Sequence, residues 1–379
     1  MKKRKIGKKT LKALLLSITV LVAVLLVASA WGGMVNPHNT HVLPLLTLAL
    51  PIILVANVVV MVAWLAAMRW RYALISFAAI VLAWLPVRSV FPINLFAGDI
   101  PQGASSFKVM TFNTMNFGPY DPSNHSPSLS MRYILDQDAD FVLLQEGSQE
   151  RDYLKLSNVV MMRDELVAKY PYHSDGYHDV MILSKYPYKV LSDSMLKRTN
   201  NSPHAVAGSY QVFARAFDIE LPGDKQLRII NVHLHSVGLD QSDKDLYMKI
   251  TENEMQGTKS ELKTIKNSLL DKLMASYRNR SVEAVQVRNL LDQSPQNVIL
   301  CGDFNDTPAS YTYRTIMGND MRDTFTECGN GFAHTYHDNR FYFKIDHIMY
   351  RGSLDAVAWK RDKSGDSDHY PQVATFVWK

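Results

Sequence analysis

Several short segments of this 379-residue chain place carboxylate, amide or imidazole groups where apolar runs end. Phe107–Phe112 runs into Asn113, with Asn116 just after, although asparagine also closes strands and makes turns. The run Phe141–Gln145 leads into Glu146, a carboxylate poorly placed for solvation and well placed for a metal. Hard divalent cations such as Mg2+ take carboxylate and amide oxygens and keep water in the shell. Ile229–Leu234 contains His233 and is followed by His235. At i and i+2 on a strand the two rings share a face, so one can do chemistry while the other lines a wall.

Asn297–Cys301 leads into Gly302-Asp303-Phe304-Asn305-Asp306-Thr307-Pro308. Asp303 and Asn305 share a face, and Gly302 lets another group approach the backbone closely. An Asx turn before a proline uses the same residues, but it does not need an apolar strand feeding two polar groups on one side. Lys344-Ile345-Asp346-His347-Ile348 sets an acid inside an apolar strand, which is costly unless the acid is partnered. Ser367-Asp368-His369-Tyr370-Pro371 supplies an imidazole for it. Asp–His pairing fixes the ring tautomer and raises its basicity, leaving the other nitrogen for proton transfer.

Strand ends deliver such groups from a rigid scaffold into a shared pocket. Phe107–Phe112, Phe141–Gln145, Val180–Leu183, Ala205–Phe217, Leu227–Leu234, Asn297–Cys301, Ile345–Tyr350 and Val373–Val377 read as strands, being short and rich in Val, Ile and Phe. Helical patterns fall at about 128–138, 158–169 and 243–293, the last with Gly257 as its one glycine. This interleaving predicts an α/β sandwich rather than a strictly alternating parallel sheet.

The first third has a different composition. Residues 1–98 hold ten of the 41 Lys and Arg and no acid, leaving 31 basic against all 36 acidic residues after them, a net of −5. The overall +5 is therefore no sign of a nucleic-acid-binding face. With 2 Cys, a disulfide framework is excluded; Cys301 reads as buried and Cys328 lies near a Gly-rich loop. Leu11–Trp31, Val42–Met68 and about Trp70–Val87 are apolar runs of spanning length, with Trp31, Trp64, Trp70 and Trp84 near their ends. A cleaved signal peptide ending near Ala28-Ser29-Ala30 is the alternative for the first run, but two more runs follow at once. Residues 1–90 are thus expected to anchor the chain by about three transmembrane helices (11–31, 42–68, 70–87), with 91–105 a linker. Seven basic residues in the first dozen, none in 32–41, and Arg69 and Arg71 in the next loop put the N-terminus in the cytoplasm. With three crossings, everything past residue 90 lies on the extracytoplasmic side of an inner or plasma membrane.

From about 106 to 379 the sequence resembles the endonuclease/exonuclease/phosphatase superfamily, which includes pancreatic-type deoxyribonucleases, abasic-site endonucleases, neutral sphingomyelinases and inositol-polyphosphate 5-phosphatases. The matching segments are Thr111-Phe112-Asn113, Leu143–Glu146, Ile182–Pro187, Asn231–Leu234, Gly302–Asn305, Ile345–Ile348 and Ser367–Pro371, all in family order. The resemblance implies two packed mixed β-sheets flanked by helices, a four-layer α/β sandwich. It implies Mg2+, with Mn2+ able to substitute, held by Glu146 with Asn113 helping and Asp368 as a second contact. It implies that Asp303 aligns or activates the attacking water, Asn305 holds a phosphate oxygen, His233 and His369 contact the scissile phosphate, and Asp346 orients His369. The expected activity is metal-dependent phosphodiester hydrolysis by in-line attack of water, on a lipid headgroup, nucleic acid or small phosphoester, with no obligate protein partner. A nuclease, for which Arg278, Arg280 and Arg288 would supply a basic patch, is the alternative within the class. A noncatalytic membrane-anchored binding domain is the alternative outside it. Tyr120, Phe332 and Phe341 are candidate aromatics for contact with lipid.

Overall fold

The computed structural model describes residues 8–379 except 96–97, 99, 101–102, 119–126, 148–152, 156–158, 175–178, 192–193, 200–209, 223–224, 239–258, 339–340 and 364. Tyr120, residues 205–209 of the expected fourth strand and 243–258 of the expected long helix lie outside the described residues. The chain opens with α1 (Lys8–Trp31), α2 (Val42–Leu48), α3 (Leu50–Ala66), α4 (Trp70–Leu82) and α5 (Trp84–Val90). Lys9–Met34 is long and apolar enough to cross a membrane.

The second and third apolar runs are not single helices, contrary to expectation. α2 and α3 meet at a 66° bend, and α4 and α5 at 76°. Proline is the physical cause. Pro51 opens α3, where its missing N–H is harmless, and Pro86 stands in the first turn of α5. A proline cannot donate to the carbonyl four residues back. The Leu82 carbonyl instead accepts the indole N–H of Trp31 at 2.9 Å, which ties the second bend to the end of α1.

The rest of the chain forms two sheets. Its strands are β1 (Ser106–Asn113), β2 (Phe141–Gln145), β3 (Tyr172–His173), β4 (Met181–Ser184), β5 (Tyr188–Val190), β6 (Leu196–Thr199), β7 (Tyr210–Glu220), β8 (Gln226–His233), β9 (Val298–Asp303), β10 (Arg322–Asp323), β11 (Asp346–Arg351), β12 (Leu354–Arg361) and β13 (Gln372–Trp378). The helices among them are α6 (Leu129–Gln137), α7 (Arg163–Lys169), α8 (Lys259–Asp292), α9 (Tyr311–Met317) and α10 (Thr324–Cys328). One sheet runs β12-β13-β1-β2-β4-β3 and the other β10-β11-β9-β8-β7-β5, with β6 on β7. Both are mixed: β1 and β2 pair parallel, as do β8 and β9, and their other neighbours antiparallel.

Three apolar clusters explain the layering. Val109, Phe141, Leu143, Ile229, Ile299 and Phe376 meet between the sheets. Met110, Phe112, Val142 and Leu144 point the other way, onto α6 and α7. Ile230, Val232, Val298 and Leu300 pack on α8 and α9. Strands buried on both faces read as continuous apolar runs, which is why these were legible in sequence. A buried amide link also joins the sheets: Gln145 Nε2 donates to Asn231 Oδ1 at 2.6 Å, and Asn231 Nδ2 to the Leu144 and Met181 carbonyls at 2.8 Å each.

The N-terminal helices pack directly on this unit. A Cβ on Gly33 would fall 2.1 Å from the Ala309 carbonyl oxygen, so only glycine fits there. Arg314 donates to the Ala30 carbonyl at 3.1 Å with its guanidinium 4.8 Å from the Trp31 ring centre, and Arg88 pairs with Glu327 at 3.2 Å. Cys301 and Cys328 are both free and buried.

Candidate active site

Strand register gathers the polar groups at one edge of both sheets. Asp303, the last residue of β9, lies opposite His233, the last of β8, and Asp346, the first of β11. In the other sheet Asn113 ends β1 opposite Gln145 of β2, and Glu146 follows at once. Glu146 and Asn305 both take left-handed backbone conformations (φ 50° and 51°). Such conformations are strained for residues with a side chain and are tolerated where surrounding structure enforces them, commonly at functional sites. Gly302 has φ 142°, and the group approaching it is the Val232 carbonyl, 1.9 Å from where a Cβ would sit.

Two Asp–His pairs flank Asp303. His369 Nδ1 is 2.9 Å from Asp346 Oδ2, and His233 Nδ1 is 2.6 Å from Asp179 Oδ2. Both rings turn Nε2 toward Asp303 Oδ2 at 3.7 Å, and His233 Nε2 is also 3.8 Å from Glu146 Oε1. Asn113 Nδ2 lies 3.1 Å from Asp303 Oδ2 and 3.3 Å from Glu146 Oε1, linking the two carboxylates. Ser367 Oγ donates to the Asn113 carbonyl at 2.7 Å and accepts from His369 N at 3.0 Å, pinning the last histidine to β1. Asn305 N donates to Asp303 Oδ1 at 2.7 Å, and its amide uses one N–H on the Leu234 carbonyl. The groups line one cleft of about 410 Å³, together with Asp368, whose carboxylate is 3.5 Å from Ser367 Oγ.

Every residue named from sequence for the site is therefore brought to this cleft or to its floor: Asn113, Glu146, His233, Asp303, Asn305, Asp346, Asp368 and His369. His235 is not; its ring bonds Asn279 and its backbone N–H donates to Glu283. Asp179 was missed. It anchors the His233 ring, accepts the Glu146 N–H at 3.0 Å and takes a bond from Gln211. Its signal is an acid immediately ahead of the apolar run that becomes β4, the same pattern that marked Asp346. Tyr336 was missed too; its ring stands edge-on to His369 at 5.0 Å.

The electrostatics follow from burial of like charges. Burial alone would lower His233, but Asp179, then Asp303 and Glu146, raise it to about 9. Burial likewise opposes charge on His369, and Asp346, then Asp303, outweigh it and raise the ring to about 10. For Asp303, burial and then the neighbouring Asp346 carboxylate raise the acid to about 6, against the pull of both histidines. The neighbouring carboxylates thus favour the protonated form of both rings, whose Nε2 atoms face Asp303.

The donor set fits a hard divalent cation. Donor atoms of Asp303, Asp346 and His369 lie within 4.8 Å of one another, and Glu146 adds a partly exposed carboxylate on the same wall. Among the described residues, one Asp346 oxygen is buried with no hydrogen-bond partner. Oxygen-rich, net-acidic clusters of this kind suit a cation that keeps water in its shell.

The basic patch that the nuclease alternative would need from Arg278, Arg280 and Arg288 is not present, because these side chains are engaged elsewhere. Arg280 is buried, with Nε 3.2 Å from Asp306 Oδ2 and Nη1 on the His235 carbonyl. Arg288 pairs with Asp292 and Asp320, and Arg278 reaches His41 of the N-terminal helices.

Fold and site define a phosphoric ester hydrolase of the metal-dependent, phosphodiesterase or nuclease type. The profile of the endonuclease/exonuclease/phosphatase family matches residues 110–369, and the chain belongs to that family. A second profile, a domain of unknown function (DUF8431), matches residues 12–90. No curated protein matched the sequence. Among solved structures, an endonuclease/exonuclease/phosphatase protein from Bacteroides vulgatus is 18% identical at a TM-score of 0.45, covering 73% of this chain and all of its own. Sphingomyelinase C from Streptomyces griseocarneus is 17% identical at 0.42, covering 72% and 99%. D. rerio TDP2 with a single-strand DNA product is 16% identical at 0.44, covering 72% and 99%.

Proposed function

We propose that this protein is a membrane-anchored, Mg2+-dependent phosphodiesterase. The observation that carries the reading is the pair of buried Asp–His couples converging on Asp303 beside Glu146. Glu146, with Asn113 next to it, would hold the metal, and Asp368 would offer a second contact. Bound there, a divalent cation supplies charge neutralisation at a phosphate oxygen.

The protein groups then divide the work. Asp303 aligns the attacking water and accepts its proton, which an acid near 6 can do at neutral pH. The protonated Nε2 atoms of His233 and His369 donate to non-bridging phosphate oxygens, where charge builds in the transition state. Asn305 holds a further oxygen. Water's oxygen bonds to phosphorus as its proton passes to Asp303, the opposite P–O ester bond breaks, and the leaving alkoxide takes a proton from solvent, to which Asp303 later returns its own, giving a phosphomonoester and an alcohol. Asp179 and Asp346 hold the rings in place.

The anchor reading is three crossings: α1, the bent pair α2–α3 and the bent pair α4–α5. It is supported by where the sheets dock. Gly33, Leu48 and Ser89, from the ends that three crossings would bring to one face, all meet the catalytic unit. The Lys/Arg pattern assigns that face to the extracytoplasmic side. The test is hydrolysis of bis(4-nitrophenyl) phosphate by the full chain in detergent. Turnover with Mg2+ that EDTA abolishes supports the reading; EDTA-insensitive turnover removes it.

A further inference from the structure

The catalytic cleft is not lined by ionic groups alone. Besides Glu146, His233, Asp303 and the Arg280–Asp306 pair, its lining includes Leu48, Leu269, Leu273 and Phe341. A second groove of about 410 Å³ adjoins it, and Leu48, Thr307 and Phe343 line both. This groove lies between the bent pair α2–α3 and the segment leading into β11. Ile52 and Val55 form one side, Phe332 and Tyr342 the other. All four are open to the surroundings: Ile52 is 75% exposed, Val55 50%, Phe332 49% and Tyr342 60%. Contiguous exposed apolar side chains mark a lipid or ligand site rather than a finished surface. The 66° bend lays α2 on the catalytic unit while α3 leads away from it. One side of the groove is therefore part of a helix with the composition of a membrane span, and its inner end is the phosphate site.

We propose that the substrate is an amphiphilic phosphodiester drawn from the bilayer, with its phosphate among His233, Asp303 and His369 and its hydrocarbon chain in the groove along α3. This rests on the hydrolytic reading above and adds the chemical class of the substrate. Thr307 stands at the joint between the two cavities. Its side chain is half-buried there, and its Oγ1 is buried with no hydrogen-bond partner among the described residues. A nucleic-acid strand leaving the site on this side would meet hydrocarbon, and the nearby Arg280 is already committed to Asp306.

The test compares methyl 4-nitrophenyl phosphate with octyl 4-nitrophenyl phosphate, using the full chain held in an amphipathic polymer with Mg2+. The octyl ester should have a kcat/KM at least ~10-fold higher, the gain from burying about two methylenes. Ile52→Trp and Val55→Trp fill the groove while staying apolar, and each should bring the octyl-to-methyl ratio toward one. Val59→Trp, on the same helix outside the groove, should keep the wild-type ratio. Equal kcat/KM for the two esters overturns the proposal, as does a preference that Ile52→Trp and Val55→Trp leave intact. So does faster cleavage of a single-stranded oligodeoxynucleotide than of the octyl ester. Cleavage of neither ester would instead overturn the hydrolytic reading on which it rests.

Discussion

Nε2 of His233 and Nε2 of His369 stand 3.7 Å each from one atom, Oδ2 of Asp303. One ring comes from the end of β8 and the other from the segment just ahead of β13, and each is braced from behind by its own buried aspartate. A phosphate lying against Asp303 would meet both N–H groups at once.

Removing one ring tests the arrangement. His369→Ala should lower the rate on bis(4-nitrophenyl) phosphate by at least ~10²-fold, the scale of losing one positioned donor to the transition-state oxygens. A near-normal rate would move that role elsewhere.

Asp179 acts on the reaction through His233. Asp179→Asn keeps the shape but withdraws the charge that raises the ring, so the His233 pKa should fall from about 9 toward its ordinary value. The alkaline limb of the kcat/KM profile should move to lower pH by more than one unit. A lower rate with an unmoved limb would give Asp179 a purely structural part.

The pH profile itself has two edges. Asp303 must be ionised to accept a proton, so activity rises with pH through about 6. His233 must keep its proton to donate, so activity falls through about 9. The expected plateau of kcat/KM lies between; a profile still rising at pH 10 would contradict protonated donors.

A second buried cluster bears on stability. Asp323 accepts from Tyr313 Oη at 2.9 Å and lies 3.3 Å from His347 Nδ1, while buried Lys344 donates to that same nitrogen at 3.0 Å. Burial would raise Asp323, but Lys344, then His347, hold it at about 2. A depressed carboxylate stabilises the fold above its unfolded value of about 3.9, and that contribution is lost as pH falls through about 2. Asp323→Ala strands Lys344 without its counter-charge and should cost about 3–5 kcal/mol in the unfolding of the full chain in detergent. A change below 1 kcal/mol would show that the pair contributes little.

What the sequence disclosed follows from burial. Strands such as β2 and β9, covered on both faces, are uninterrupted apolar runs, and the groups that end them stand out. β12 was missed because Leu354–Arg361 lies at a sheet edge with mostly half-exposed residues, so charge is mixed into it. Asp179 hid because it stands ahead of its apolar run rather than at its end, and its partner His233 is far along the chain. Pro51 and Pro86 mark the bends in the N-terminal helices, but the capping of the Leu82 carbonyl by Trp31 at the second bend is a tertiary contact no local pattern contains. Arg280 read as surface because its helix is polar overall, and only the fold brings Asp306 to it.

The most direct measurement of the central claim is anomalous scattering from a crystal of the full chain soaked in Mn2+. The account predicts a peak within about 2.1 Å of a Glu146 carboxylate oxygen, the reach of a small hard cation, lost in Glu146→Gln. A peak remote from both Glu146 and Asp303, or none in crystals that diffract well, would contradict it.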